Sequence, residues 1–187
     1  MGIDLAGTTL TSSAGLVATY SGSQIMKMGS TGVLQRYNPG QPMFRAGGSG
    51  TAAWVVFAAA STWDKVVFNA TNVNVGSCYN TSNGRFTAPV TGVYLMVAHT
   101  YYHGNTAGWY THPMFWVNGS SNARRPSAGA QHRMRGHGSA SGYEEDTDSL
   151  EIISLIAGDY VEFYNYGGGG PNQWLPQYSR YEGYLLG

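Results

Sequence analysis

Three histidines, His99, His103 and His112, lie close together in the chain. Two imidazoles an even number of residues apart on an extended strand share a face, the arrangement a divalent metal needs. No His-Glu-Xaa-Xaa-His or Cys-Xaa-Xaa-Cys companion accompanies them. They are therefore expected to be polar residues of a loop or interface, with no metal centre. Glu144, Glu145, Asp146, Asp148 and Glu151 are five of the ten acids, and Arg124, Arg125, Arg133 and Arg135 lie just upstream. These opposed blocks can pair within or between subunits, or stand solvated in a loop. Calcium is the alternative, because carboxylates supply its oxygen ligands, although the spacing is not that of an EF-hand. Ser, His and Asp are all present, but no Gly-Xaa-Ser-Xaa-Gly elbow frames a nucleophile. The glycines 167–170 are not followed by the Gly-Lys-Ser/Thr of a phosphate loop. A glycosidase carboxylate pair would have to come from the acidic cluster alone. Cys78, the single cysteine, is expected to be a packed small residue. No catalytic residue and no cofactor is expected. The remaining chemistry is non-covalent. Trp63, Trp109, Tyr110, Trp174 and Tyr178 stand among Asn, Gln and Gly, where aromatic rings make contacts to sugars or proteins. The alternative is that they cap the core or a subunit seam.

The elements that must position these residues are legible in the composition. The chain has 187 residues, 10 Lys+Arg against 10 Asp+Glu, and a formal net charge of zero, so no global field exists to hold nucleic acid. Charged residues are 11% and aromatics 13%, the reverse of a disordered chain. Gly is 27 of 187, about twice the usual ~7%. This balance predicts an all-β protein with Gly, Ser, Thr and Asn in its turns. One cysteine excludes an intramolecular disulfide framework. The longest apolar run, 52–60, is well short of the ~20 residues that cross a bilayer, so no membrane insertion is expected. The start, MGIDLAGTTL, shows no basic region followed by an apolar one, so a protein made in a cytoplasm is expected.

Residues 1–42 differ from the rest, being short alternating pieces separated by Gly and Ser. Segments 16–20 and 23–28 read as strands too short to bury a face alone. This stretch is expected to be an arm that docks on a partner or on sister chains, with the first hairpin of the main domain as the alternative. Beyond it, strand-like runs occur at 54–59, 66–69, 92–102, 114–118, 150–156, 160–166 and 179–186. Turn signals separate them, which suggests a sandwich or jelly roll. In the run 92–102 one face carries Val93, Leu95, Val97, His99 and Tyr101, the other Tyr94, Met96, Ala98, Thr100 and Tyr102. Both faces are largely apolar, whereas a sandwich strand normally has one wet face. A sister subunit is the expected cover for the second face.

At this strand the chain resembles the jelly-roll family of the globular head of complement component one, subunit q, and tumour necrosis factor. The matches run in order. They begin with Phe44 and Ala46, then Phe68, Asn69, Asn74, Gly76, Tyr79, Gly84 and Phe86. Pro89, Gly92 and Tyr94 follow, then Leu155, Gly158, Asp159 and Val161. The last are Ser179, Tyr181, Gly183, Leu185 and Leu186. The resemblance covers about residues 43–187 and implies a ten-strand jelly-roll sandwich that binds rather than catalyses and assembles as a homotrimer. It implies that the strands holding Phe44, Tyr94, Met96, Leu150, Ile152, Tyr181 and Tyr184 lie nearest the three-fold axis. Gly84 and Gly92 are expected at positive φ. No collagen repeat precedes the domain. The arm, ending Pro39-Gly40-Gln41-Pro42, resembles instead the trunk-to-tip junction of bacteriophage fibre proteins. The expected function is a non-enzymatic virion protein, a fibre tip or capsid decoration at the virion surface. Its arm would hold a capsid or tail protein and its loops would face a host-surface glycan or protein. A free carbohydrate-binding recognition protein is the alternative.

Overall fold

A computed structural model describes residues 16–20, 23–28, 34–35, 41–49, 55–57, 61–104, 109–121, 134–135, 143–168 and 172–186. The chain divides into two compact units, Met1–Gly40 and Gln41–Gly187. The first holds β1 (Leu16–Tyr20), β2 (Ser23–Met28) and β3 (Leu34–Gln35) in one antiparallel sheet of order β1-β2-β3. β1 and β2 occupy the two segments expected to be strands.

The second unit is a two-sheet sandwich. Its strands are β4 (Met43–Gly47), β5 (Val55–Val56), β6 (Thr62–Lys65), β7 (Ala70–Val75), β8 (Tyr79–Asn80), β9 (Arg85–Thr87), β10 (Gly92–Gly104), β11 (Tyr110–Val117), β12 (Met134–Arg135), β13 (Tyr143–Leu155), β14 (Tyr160–Gly168), β15 (Asn172–Trp174) and β16 (Arg180–Leu185). A 3-10 turn spans Pro176–Tyr178. The larger sheet has β10 at its centre. β13 pairs along one whole side of β10, from Gly92↔Leu155 to Gly104↔Tyr143, while β16 and β15 share the other side. β4 and then β7 continue beyond β16, and β5 beyond β15. The second sheet centres on β14, with β12 and β11 to one side and β9, β8 and β6 on the other.

Strand alternation builds the core. From the larger sheet Phe44, Tyr94, Met96, Ala98, Tyr102 and Tyr181 point inward; from the second sheet Phe86, Phe115, Val117, Val161 and Phe163 meet them. Tyr181 is the hub. Its ring contacts Phe44 edge-on at 4.7 Å, Phe115 at 5.6 Å, Tyr79 at 5.8 Å, Phe68 at 6.0 Å and Phe163 at 6.2 Å. Its hydroxyl donates to the Met96 thioether, at 3.9 Å. Burial pushes that phenol's pKa far up. Gly183, one turn of the pleat away, leaves room for this packing: a Cβ there would lie 2.5 Å from the Phe44 ring and 2.7 Å from Met96 Sδ.

Several details depart from expectation. Segment 66–69 is not a strand. Val66 and Phe68 are buried in the core, and the segment bridges β6 and β7 with a backbone bond from Val66 N to Phe163 O at 2.9 Å. The acidic segment is no loop but part of β13, and Gly92 opens β10 without a positive φ. Gly84 does take φ 68°, and Gly158 takes φ 92° in the turn between β13 and β14. There the Asp159 carboxylate accepts the Ile156 N–H at 2.8 Å. Cys78 is packed as expected; burial raises its thiol pKa to about 11.

The core geometry makes a test of Tyr181. Removing a buried aromatic costs about 3–5 kcal/mol, a large part of the 5–15 kcal/mol typical of a domain. Tyr181→Ala should lower the unfolding free energy measured in urea by that amount. Tyr181→Phe, which keeps the ring and loses only a weak bond to sulfur, should cost about 1 kcal/mol or less. Equal losses for the two variants would show that the hydroxyl, not the ring, matters.

Candidate functional site

The outward positions of the larger sheet form the first candidate surface. Along β10 the inward side chains are buried and Val93, Leu95, Val97, His99, Tyr101 and His103 face out. Register sets Ile152 and Tyr184 on either side of Leu95, and Leu150 and Glu182 on either side of Val97. Met43 continues the row beyond Tyr184. Leu150 is 55% exposed, Ile152 65% and Tyr184 37%. These side chains make an open aliphatic band at one end of the sheet. The other four residues expected at the three-fold seam are corrected by their burial. Phe44, Tyr94, Met96 and Tyr181 lie inside the protomer, each 2% exposed or less. They stand on the right strands, but the pleat turns them to the core side.

The rest of this face is polar. His99 Nδ1 lies 2.9 Å from Asp148 Oδ1, and its Nε2 lies 3.9 Å from Asp146 Oδ2. The Tyr101 hydroxyl donates to Glu144 Oε2 at 2.6 Å, and that bond raises the phenol's pKa. Glu182 Oε1 accepts from Arg45 Nε at 3.0 Å and Arg180 Nε at 3.4 Å. The acidic run is thus paired in part with β10. Arg124, Arg125 and Arg133 lie outside the described residues, as does the side chain of Arg135. His112 stands on the other sheet, so the three histidines are not gathered. Among the described residues no group of three His, Cys, Asp or Glu is placed to hold a metal.

The outward positions of the second sheet form the other candidate surface. Glu162 is buried, and its Oε1 accepts from Lys65 Nζ at 3.1 Å and from Arg85 Nη2 at 3.0 Å and Nε at 3.1 Å. Arg85 also lies over the Tyr160 ring at 3.7 Å. Beside this triad the rings begin. Trp116 stacks on Tyr164 at 4.0 Å, Trp63 contacts Trp116 at 5.6 Å and Tyr166 at 5.4 Å, and Tyr166 contacts Tyr110 and His112. Burial raises the Tyr164 pKa, and the Glu162 charge adds to it.

The expected ligand contacts therefore separate. Trp63 and Tyr110 belong to this ring cluster. Tyr178 is exposed on the other sheet's side, edge-on to Tyr101 at 5.5 Å. Trp109 and Trp174 are corrected: both are buried in the core. Trp109 fills the space where a Cβ on Gly104 would be, and Trp174 packs edge-on against Phe68 at 5.3 Å. Sequence reasoning missed Trp116, Tyr164, Tyr166 and Glu162. The alternation Tyr160, Glu162, Tyr164, Tyr166 along one strand was the available signal.

With the fold in place, the comparisons decide the family. Residues 55–186 match the C1q domain. The chain belongs to the C1q-domain family. The C1q fold of this chain extends further toward the N-terminus than the matched span, because β4 pairs with β16 from Met43↔Tyr184 to Gly47↔Arg180. Among solved structures it is similar to the globular domain of zebrafish complement 1qA protein, with 18% identity, TM-score 0.54 and coverage of 79% of this chain and 98% of that one. It is also similar to Eiger TNF from S. frugiperda, with 14% identity, TM-score 0.57 and coverage of 79% and 93%. No curated protein matches in sequence. C1q and tumour-necrosis-factor-like domains typically form homotrimers and serve recognition or structure rather than catalysis.

The Glu162 triad gives this C1q domain a testable electrostatic feature. Glu162→Ala leaves Lys65 and Arg85 without their carboxylate. Both are partly solvated, so the expected cost is about 1–3 kcal/mol rather than that of a fully buried pair. Denaturant unfolding should show it as a lower midpoint with unchanged slope.

Proposed function

We propose that this C1q domain is a non-enzymatic homotrimer that forms a bacteriophage fibre tip or capsid decoration, anchored by residues 1–42 and presenting its surface to the host. The observation that carries the assembly is the aliphatic band on the larger sheet. Val93, Leu150, Ile152, Met43 and Tyr184 are open to solvent in the protomer and continuous across four strands. A contiguous apolar patch of this kind on a small domain marks a protein interface. Domains of its family typically form homotrimers.

The particle reading is supported by the first unit. Residues Met1–Gly40 form their own compact unit with a three-stranded sheet. A small sheet is suited to strand pairing with a neighbouring protein along its edges. The partner is a capsid or tail protein, and the domain sits on the virion surface after synthesis in the host cytoplasm. A free carbohydrate-binding protein is the second reading, favoured by the ring cluster on the second sheet.

Two measurements test the proposal. Sedimentation equilibrium should give about three times 20.1 kDa, and Leu150→Glu with Ile152→Glu should yield folded monomers, because charges buried in an apolar seam are costly. A wild-type monomer at micromolar concentration, or a trimer unaffected by both charges, would remove the seam. Deleting residues 2–41 should leave a folded trimer that no longer enters particles. Normal occupancy by the truncated protein would overturn the anchoring role of residues 1–42.

A further inference from the structure

The two outward faces of the sandwich differ in kind. The larger sheet exposes aliphatic side chains. The second sheet presents rings: Trp63, Tyr110, His112, Trp116, Tyr164 and Tyr166 occupy outward positions on β6, β11 and β14. Its one aliphatic outward residue on those strands, Met114, is buried. Branched aliphatic groups suit a tight seam with another protein. Flat, partly exposed rings suit the C–H face of a pyranose, which is apolar while its hydroxyls stay in water. The cluster is also pre-organised. Trp116 and Tyr164 are stacked at 4.0 Å, and Trp63 is wedged against Trp116 and Tyr166. Rings already held by one another lose little freedom when a ligand arrives. From Tyr110 to Trp116 the strip follows six residues of strand, about 20 Å at ~3.3 Å per residue, long enough for several consecutive sugar rings.

Charge selects among sugars. Lys65 and Arg85 share the single carboxylate of Glu162 at one end of the strip. Glu162 is the only acid at the outward positions of β6, β9, β11 and β14. Two cations to one buried carboxylate leave a net positive charge, with Lys65 and Arg85 both reaching solvent. We propose that this strip binds a linear pyranose oligosaccharide carrying carboxylate groups, its rings stacked on the aromatic side chains and a carboxylate set against Lys65 and Arg85. This deepens the host-recognition part of the proposed function and rests on that part alone. It requires neither the trimer nor the particle.

The test uses the full chain on a printed array of linear pyranose oligosaccharides in matched neutral and uronate forms, with sedimentation and melting temperature recorded for each variant. The wild-type protein should bind uronate forms more tightly than their neutral counterparts, and added salt should narrow the difference. Trp116→Ala and Trp63→Ala should each weaken binding by about tenfold. Lys65→Gln should weaken uronate binding and narrow the preference for uronates, while Arg85 still pairs Glu162. Should Trp116→Ala unfold, Trp63→Ala on the edge strand β6 decides the role of the rings. Absence of binding to any array member, equal binding of the two forms, or undiminished binding by folded Trp63→Ala would overturn the proposal. A trimer that binds no glycan overturns it and leaves the assembly standing. A monomer that binds uronates through these rings does the reverse.

Discussion

The packing of the Tyr181 ring between the two sheets is the contact on which the rest of this domain depends. It joins Phe44 and Met96 of its own sheet to Phe115, Phe163 and Tyr79 of the other and to Phe68 between β6 and β7. A core of stacked and edge-on rings is rigid, because each ring's orientation limits its neighbours. It also fixes parity. Once Tyr181 and Met96 point inward, the pleat places every second residue of β16 and β10 on the outside. The outward rows are therefore consequences of the inward ones.

Those outward rows give the sandwich two chemically distinct faces. On the larger sheet an aliphatic band lies beside a polar half where His99, Asp148, Arg180 and Glu182 meet. The band excludes water well, and the charged half limits which surfaces can close over it. On the second sheet the Glu162 triad and the rings beside it share one plane of side chains. The two layers of one small fold thus carry outward surfaces of different chemistry, aliphatic on one and aromatic on the other.

β13 shows how the chain manages an open edge. It is 13 residues long, and among the described strands it pairs only with β10. A long bare edge invites pairing with other chains. Glu144, Asp146 and Asp148 line its outward positions, and repulsion between like charges opposes the addition of another copy in register. The acidic run, for which calcium is the alternative reading in the sequence, therefore has a structural reason to exist, with His99 and Tyr101 taking up two of its carboxylates.

The sequence by itself determined the class, the order of the strands and the family resemblance, because composition, alternation and turn residues are local properties. β1, β2 and the two-faced character of β10 were legible in this way, as was the tight turn at Gly158-Asp159. What only the tertiary structure decided is which face of each strand meets the other sheet. Alternation divides Tyr94 and Met96 from Leu95 and Val97 but does not say which pair is inside when both are apolar. Phe44, Tyr94, Met96 and Tyr181 look like seam residues in the sequence for this reason, and their burial in the core depends on partners from other strands. Trp109 and Trp174 likewise read as exposed loop rings among polar neighbours, yet Gly104 and Phe68 supply the space and the contact that bury them. The ring strip is the converse case. Its members come from β6, β11 and β14, far apart along the chain, and only the pairing of those strands with β14 sets Trp63 and Trp116 side by side.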